Sequence, residues 1–485
     1  MTAAFLATLP AIALGWMAVR LLLPAIAWKP AWMRWLFELS LGTAVGLGLT
    51  SCFCFVLRLA GAGGRGPVLA LDAATLAGAA WLYVRSRRKE GDAPTPPGFS
   101  FSWVLRTAMA VALMLFALDM NESIAANPQG EWDAWAIWNV KAKFLAGGAD
   151  TWRNAVAADA AAKMFGASHP GYPLLVSASV ARVWTLTGDP SSEAPAALGV
   201  VFALAAAGLL AGALALVRTE TAGLLAMLVL VATGAFTSQV GFQYADIPLS
   251  LYILATVALL AYAPAANWPP GLLVLAGLCA GFAAWTKNEG LPFLLLAALV
   301  VLWRARGRRA AWMALGAAPA VLLVAALKLF LAHGTEAMFP RTAAETAAKL
   351  ADPARWLQIA AAFAKMILDL GVPWAHPVLL LAVLAVALGV VSKKEAASRL
   401  WLALPLAGLL AADFAIYLIT TADLTWHLGT SVNRLIVQVW PATLFVAFLL
   451  IQPPASPLPE PVAAPAARRS DRREQRRLKR SAEPR

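Results

Sequence analysis

Five ionisable side chains in three short motifs are the residues of this chain best suited to chemistry. Glu131 and Asp133 occur in GEWDAW, Asp246 occurs in QYADIP, and Lys287 and Glu289 occur in WTKNEG. A carboxylate can act as the general base that activates a hydroxyl group. A cation beside it can stabilise the negative charge on a departing phosphate. The residue types therefore suit a group transfer, and they would equally suit a proton-coupled transporter.

Two arginines and the four histidines extend this set of candidates. Arg341 follows an apolar block, and Arg434 lies in SVNRLIVQVWP. The histidines are His169, His333, His376 and His427. Ionisable groups at membrane depth cost about 2.5–3.5 kcal/mol each, so a cluster of them indicates function. A divalent metal on Glu131, Asp133 or a histidine remains open, because the spacing matches no specific metal motif.

The elements that position these residues must be membrane helices. The chain is 61% hydrophobic and 13% charged, whereas an average soluble domain has about 25% charged residues. The apolar residues fall in blocks of roughly 17–25, the length that crosses a bilayer. We therefore predict an all-α polytopic membrane protein with about thirteen transmembrane helices by this length criterion. The blocks begin near Phe5, Leu36, Val68, Trp103, Ala194, Thr221, Ile247, Leu272, Pro292, Ala311, Val378, Leu400 and Leu435.

The basic residues set the predicted orientation. The net charge of +13 comes largely from clusters in short loops and in the carboxyl-terminal tail, and such clusters mark the cytoplasmic side. The clusters are Lys29–Arg34, Arg85–Lys89, Arg304–Arg309, Lys393–Arg399 and the tail. This placement favours membrane lipids over nucleic acid as partners. It predicts a multi-pass protein of a bacterial-type inner or plasma membrane, with all the candidate residues on the periplasmic or extracellular side.

The chain divides into three predicted regions. Residues 1–90 form an amino-terminal extension of three spans, and residues 100–451 form the main transmembrane module. The module contains two long external loops, residues 119–190 and 333–373, of which the first is predicted to be helical. Residues 452–485 form a basic tail with too few large apolar residues to fold, so we expect it to be disordered in the cytoplasm.

Two further patterns predict structural residues. Trp132, Trp135 and Trp138 are spaced by three, which predicts that they share one helix face in the membrane interface. The three cysteines, Cys52, Cys54 and Cys279, all lie in apolar blocks, so they are predicted to be packing residues.

The order of the motifs resembles the GT-C superfamily of membrane glycosyltransferases. The similar branch contains the protein O-mannosyltransferases and the lipid A aminoarabinose transferases. EWD followed by AWAIWNVKAKFL looks like the acidic motif that opens the external loop of that branch, and HPGYPLL is similar to its His-Pro-Pro segment, with Gly in place of one Pro. YADIP and WTKNEG are similar to the later acidic and Thr-Lys elements of that branch. The Arg before a Pro-containing last span also resembles a feature of the branch. The resemblance covers roughly Trp103 to Ile451.

The resemblance implies a reaction and assigns residues to it. The donor would be a polyprenyl-phosphate-linked sugar, and the acceptor a hydroxyl of a lipid, a glycan or a protein. Asp133 would be the base, with Glu131 and Asp246 as further catalytic acids, and the donor phosphate would be bound by Lys287, Arg434 and Arg341. The other site candidates are His169, Tyr172, Tyr244, Glu289 and His427. The chain departs from the branch by having three spans before the catalytic-loop span and no evident soluble carboxyl-terminal domain, so the acceptor stays open.

The main alternative is a transporter or lipid flippase that uses the same charged residues. Transporters are often built from internal repeats, with broken helices around a site at the midplane of the bilayer. No repeat is evident in the sequence, and the candidate residues are predicted to cluster at one face.

Overall fold

The computed structural model describes residues 1–24, 31–86, 103–148, 151–157, 169–305, 307–332, 342–371 and 376–453. Within these ranges the chain consists of helices, turns and loops with no strand, so the all-α prediction is confirmed. Arg341, His333 and the tail from residue 454 lie outside the described residues.

The described residues form nineteen α-helices, which we number in chain order. They are α1 (Thr2–Leu22), α2 (Ala31–Leu59), α3 (Arg65–Arg85), α4 (Trp103–Ala126), α5 (Asn139–Ala146), α6 (Leu175–Thr187), α7 (Glu193–Val217), α8 (Glu220–Val231), α9 (Gly234–Phe242), α10 (Asp246–Tyr262), α11 (Pro270–Thr286), α12 (Gly290–Ala305), α13 (Arg309–Ala326), α14 (Ala343–Leu350), α15 (Pro353–Leu368), α16 (Pro377–Leu388), α17 (Lys393–Arg399), α18 (Leu404–Ile419) and α19 (Leu424–Leu450). Short π-helical segments cover Ala134–Trp138 and Leu327–Leu331, and short 3-10 segments cover Trp152–Ala155 and Leu400–Ala403.

Eight helices within the described residues are long and apolar enough to cross a membrane. They are Thr2–Leu22, Ala31–Leu59, Arg65–Arg85, Thr107–Ala126, Glu193–Val217, Arg309–Leu331, Lys393–Ile419 and Leu424–Leu450. Each has at least the 18 residues that an apolar helix needs to approach the thickness of the hydrocarbon core. These helices are the features expected of an integral membrane protein.

The predicted number of about thirteen spans is not confirmed by the length criterion. α8 and α9 meet the criterion only together, and they are bent by 62° at the break between them, so counting them as one span gives nine within the described chain. The four remaining predicted blocks correspond to α10, α11, α12 and α16, which are apolar helices of only 12 to 17 residues. These four helices fall below the 18 residues that the length criterion requires, so they are not counted as spans.

The centre of the bundle is a helix that is apolar on all its sides. In α10, every residue from Asp246 to Leu260 is buried, as expected for a helix enclosed by others. It packs against α2, α7, α11 and α19. The amino end of this central helix therefore lies inside the bundle rather than at its lipid-facing surface.

Close approaches between helices depend on small residues. In α2, for example, a Cβ atom at Gly46 would overlap the backbone of Ala11 in α1.

The amino-terminal helices are bonded to the helices of the first long loop. Arg182 of α6 is buried, and its guanidinium donates to the carboxylate of buried Asp72 in α3 and to the carbonyl oxygen of Ala7 in α1, the latter at 3.0 Å. The ammonium group of Met1 contacts the carboxylate of Glu193 at the start of α7. α1 and α3 are therefore bonded to α6 of the first long loop, and the start of α1 also contacts α7.

The three cysteines are buried and free, as the sequence predicts. Cys52 lies in α2 and Cys279 in α11, and both belong to the apolar core. Cys54, also in α2, lies beside the guanidinium of Arg58 instead.

Candidate functional site

Asp246 is the centre of a polar network inside the bundle. It is the first residue of α10 and is completely buried. Its Oδ1 accepts from Nζ of Lys287 at 2.9 Å and from Nε2 of Gln438 at 2.6 Å, and its Oδ2 accepts from Nε of Arg434 at 3.0 Å. The helix amino terminus also favours a negative charge at this position. Asp246 therefore holds two cations in fixed positions, Lys287 from a turn and Arg434 from α19.

Arg434 connects this buried acid to Asp133. Its Nη1 lies 2.7 Å from Oδ2 of Asp133, whose side chain is 19% exposed. The other carboxylate oxygen of Asp133 has no hydrogen-bond donor among the described residues. Arg434 belongs to α19, which begins at Leu424, before the apolar block that begins near Leu435 in the sequence. The guanidinium therefore lies within the helix instead of at its beginning.

Tyr244 forms one wall around this ion pair. The Arg434 Cζ lies 4.4 Å from the centre of the Tyr244 ring, a cation–π arrangement. The Tyr244 hydroxyl also accepts from the backbone N–H of Asp133 at 3.4 Å. Burial, together with the nearby Asp133 carboxylate, raises the pKa of Tyr244 to about 12. Its phenol thus remains protonated and uncharged at neutral pH.

Lys287 and Glu289 occupy the tight turn between α11 and α12. Lys287 Nζ lies 2.8 Å from Oε1 of Glu289. The turn is close because Gly290 begins α12 directly against α11, where a Cβ atom would overlap the backbone of Ala283. This geometry places the Lys287 ammonium between Asp246 and Glu289.

A cavity of about 480 Å³ adjoins this network. It brings together Asp133, Lys287 and Arg434 with polar and apolar side chains from other helices. The other residues of its wall are Tyr172, Asn288, Glu289, Leu291, Pro292, Lys328, Asp413, Ile416, Tyr417, His427, Ser431 and Leu435. Asp246, for which the resemblance implies a catalytic acid, is fully buried and is not among the lining residues. It contacts the cavity wall through Lys287 and Arg434.

Asp413 and Lys328 line this cavity although no motif assigned them to it. Asp413 of α18 is 3% exposed, and its Oδ2 has no hydrogen-bond partner among the described residues; most buried polar atoms have one. Lys328 donates to Oδ1 of Asn288 at 2.8 Å and to the carbonyl oxygen of Gly171 at 3.1 Å. These residues come from separate helices, and the sequence carries no signal that would join them.

Helical spacing identifies a polar face of α19 that sequence reasoning missed. His427, Ser431, Arg434 and Gln438 are separated by four, three and four residues, so they lie on one side of a helix. Ser431 shares a hydrogen bond of 2.6 Å with the hydroxyl of Tyr417. Ser431 and Gln438 were predictable from this spacing once the helix was known to begin at Leu424.

Several predicted site residues lie away from the cavity or at its edge. Glu131 is exposed and does not line the cavity, although its backbone N–H donates to the Phe242 carbonyl at 3.2 Å. The ring of His169 stacks on Tyr172, with the ring centres 4.5 Å apart, and only Tyr172 lines the cavity. Arg341 lies outside the described residues. The geometry thus brings Asp133, Lys287, Glu289, Arg434, His427 and Tyr172 to one cavity wall.

The predicted tryptophan face was wrong. Trp132 and Trp135 are partly exposed, with ring centres 4.4 Å apart, but Trp138 is fully buried and lies 5.7 Å from Tyr172. Residues Ala134–Trp138 form a π-helix, in which the hydrogen bonds span five residues. Residues spaced by three therefore do not share a face in this segment.

The acids of the site do not form a metal centre within the described residues. No three of the His, Cys, Asp and Glu side chains there are placed to hold one ion together. The acids of the network are instead bonded to Lys287 and Arg434.

Comparison of the chain with known protein families, with curated proteins and with solved structures gives no match. The likeness to the GT-C superfamily therefore stays a resemblance of motifs in order, and the geometry of the cavity has to support any function on its own.

Proposed function

We propose that this protein is a membrane glycosyltransferase that transfers a sugar from a polyprenyl-phosphate donor to an acceptor hydroxyl. The reaction takes place on the non-cytoplasmic face of the membrane. The observation that carries the proposal is the cavity in which Asp133 lies beside Arg434 and Lys287. A partly exposed acid and two fixed cations at one cavity are the groups that such a transfer requires.

Asp133 acts as the base in this proposal. Its Oδ2 is bonded to Arg434, which leaves Oδ1 to accept the proton of the acceptor hydroxyl. The acceptor oxygen then attacks the anomeric carbon of the sugar, and the bond from that carbon to the phosphate oxygen breaks. The electron pair leaves with the polyprenyl phosphate, and the configuration at the anomeric carbon is inverted.

Lys287 and Arg434 stabilise the departing phosphate. Both are fixed by the buried Asp246 carboxylate, so no reorganisation is needed as the negative charge develops. The same cavity has apolar wall residues, Leu291, Ile416 and Leu435, which can contact the first isoprene units. The sugar hydroxyls would meet neutral polar groups of the wall, among them Asn288, Tyr417 and Ser431.

The direct test is transfer by the purified protein in nanodiscs, with polyprenyl-phosphate sugars as donors and a mixture of envelope lipids and glycans as acceptors. A product labelled with the donor sugar supports the proposal. The rival transporter would instead move its substrate across a sealed vesicle without any change in covalent structure, and that result with no transfer would overturn the proposal. The bend between α8 and α9 does not favour the rival, since no residue of either helix lines the cavity.

Replacing Lys287 by alanine is expected to weaken donor binding about ten- to hundredfold, because a hydrogen bond to a charged group contributes roughly 1.5–3 kcal/mol. The affinity for a non-transferable donor analogue can be measured by titration in nanodiscs. Lys349→Ala is the matched control, since this lysine pairs with Glu345 away from the cavity. An unchanged affinity in a folded Lys287→Ala protein would remove the phosphate-binding role.

The proposed sidedness predicts opposite labelling of two introduced cysteines. Thr151 and Arg308 are both exposed, and the basic loops place residue 151 outside and residue 308 in the cytoplasm. An impermeant maleimide added to intact cells should label Thr151→Cys and leave Arg308→Cys unlabelled until the membrane is opened. The native cysteines are buried, so the unaltered protein is the control. Reversed labelling would place the cavity in the cytoplasm.

A further inference from the structure

A second cavity, of about 500 Å³, shares no lining residue with the first. It lies where α2 ends and α3 begins, against the carboxyl ends of α5 and α6. Its wall contains two arginines, Arg58 and Arg65, and six glycines, and it contains no acid. The glycines are Gly61, Gly63, Gly64, Gly147, Gly148 and Gly188.

Arg58 brings a buried charge to this cavity. The residue is 6% exposed and donates to the carbonyl oxygen of Gly147 at 3.2 Å and to Oγ1 of Thr185 at 2.9 Å. Its Nε has no hydrogen-bond partner, and no carboxylate among the described residues forms an ion pair with it. Burying a charge without an opposite charge is costly. An anion in the cavity would offset this charge, although the Nε itself is covered by Gly63 and the thiol of Cys54 lies beside the guanidinium.

The start of α3 supplies a second source of positive potential. This helix of 21 residues begins at Arg65, and its N-cap, Gly64, offers no side-chain cap. The first backbone N–H groups of a helix have no partner within the helix, and together with its dipole they attract anions. Arg65 is exposed at the same cavity. Two arginines and a helix amino terminus thus converge on one space.

Two of the glycines keep this space open. Gly64 has an ordinary φ of −75°, and a Cβ atom there would meet only Cδ of Pro67, at 4.0 Å. A Cβ atom at Gly148 would meet no atom within 4 Å. Side chains at these two lining positions would therefore overlap no atom of the protein.

We propose that this second cavity binds the phosphate of a phosphomonoester or phosphodiester group, held by Arg58, Arg65 and the amino terminus of α3. Paired arginines suit phosphate because the guanidinium offers several N–H donors in a plane. The cavity lies where α2 ends and α3 begins, and both helices are long enough to span a membrane. The ends of such helices lie at the level of the lipid headgroups, where the lipid phosphates are found. The site does not depend on the proposed sugar transfer.

The test measures phosphate binding to the full-length protein in two arms. In the first, inorganic phosphate is titrated into nanodiscs of phosphatidylcholine; in the second, retention of phosphatidic acid is measured by native mass spectrometry from phosphatidylcholine nanodiscs containing it. Binding in the first arm identifies soluble phosphate as a ligand, and binding in the second alone identifies a lipid headgroup. Both arms are repeated with Arg65→Gln, Gly148→Val and Arg153→Gln.

Arg65→Gln is expected to weaken binding about ten- to hundredfold, the effect of losing one charge-assisted hydrogen bond, and Gly148→Val to weaken it by filling the cavity. Both positions are exposed, so the variants should fold. Arg153→Gln, which removes an equal charge from an exposed residue outside the cavity wall, should bind as the unaltered protein does. Equal binding by all variants, or no binding in either arm, would overturn the proposal.

One further variant tests whether a carboxylate of the chain itself neutralises the arginines of the second cavity. Asp150 lies outside the described residues, two positions after Gly148 in the sequence. If phosphate binds only to Asp150→Asn, a carboxylate of the chain itself neutralises the arginines, and the proposal is wrong. Because none of these measurements uses sugar transfer, their failure would leave the proposed glycosyltransferase activity untouched, and Asp133→Asn should bind phosphate in this second cavity normally.

Discussion

Replacing Asp133 by asparagine is expected to lower the rate of sugar transfer about 10²–10⁴-fold, the usual contribution of a general base. Asparagine keeps the shape and the hydrogen-bonding reach of the side chain but cannot accept the acceptor's proton. Thermal unfolding should change little, because a partly exposed ion pair contributes about 0–1 kcal/mol and Arg434 keeps its bond to Asp246. The rate is measured with saturating donor in nanodiscs.

Asp369→Asn is the matched control for this experiment, since Asp369 is an exposed acid at the end of α15 and does not line the cavity. It should transfer at the rate of the unaltered protein. Donor affinity should survive in Asp133→Asn, because Lys287 and Arg434 remain. A turnover near that of the unaltered protein would end the assignment of Asp133 as the base.

Replacing Asp246 by alanine is expected to destabilise the protein strongly, by about 3–5 kcal/mol, because it leaves buried charges without their partner. Lys287 and Arg434 are 5% and 14% exposed and both bond to this carboxylate. The free energy of unfolding is compared with that of Asp133→Asn, which loses an acid from the exposed end of the same network. Transfer should fall as well, since the two cations lose their fixed positions.

If Asp246→Ala changes the free energy of unfolding by less than about 1 kcal/mol, the effect is that of an exposed ion pair. That result would contradict the role of the buried network in holding the site together. Asp246→Asn separates charge from packing in this experiment. It should retain the bond from Gln438 but not the charge that holds Lys287 and Arg434, so its stability should lie between those of the alanine variant and the unaltered protein.

The motifs allowed the polar network to be predicted in part. Asp133, Asp246, Lys287 and Arg434 are each adjacent to a turn or to a recognisable motif, and the structure joins them by direct ion pairs. Tyr244 could be included because it belongs to the same motif as Asp246. The all-helical fold was predictable as well, because composition and block length depend only on the chemistry of the side chains.

Other features depend on rotation and contact between helices, which a single sequence does not encode locally. Asp413 and Lys328 reach the cavity only because their helices present those faces to it. Trp138 is buried because the segment before it is π-helical, and no residue pattern signalled that change. α16 has only 12 residues, shorter than the apolar blocks of roughly 17–25 residues, because the apolar residues of a turn look like those of a span.

The bond between Arg182 and Asp72 has a consequence for biosynthesis. In the proposed orientation, α3 is synthesised and inserted about a hundred residues before α6, so Asp72 enters the bilayer as a carboxylate whose arginine does not yet exist. Inserting this unpaired carboxylate costs about 2.5–3.5 kcal/mol of free energy on insertion scales. This free energy is recovered when α6 brings Arg182 to Asp72. The first helices of the chain are therefore expected to be less stable in the membrane until α6 has been synthesised. A nascent chain halted before residue 175 should be more readily extracted or degraded than one halted after residue 187.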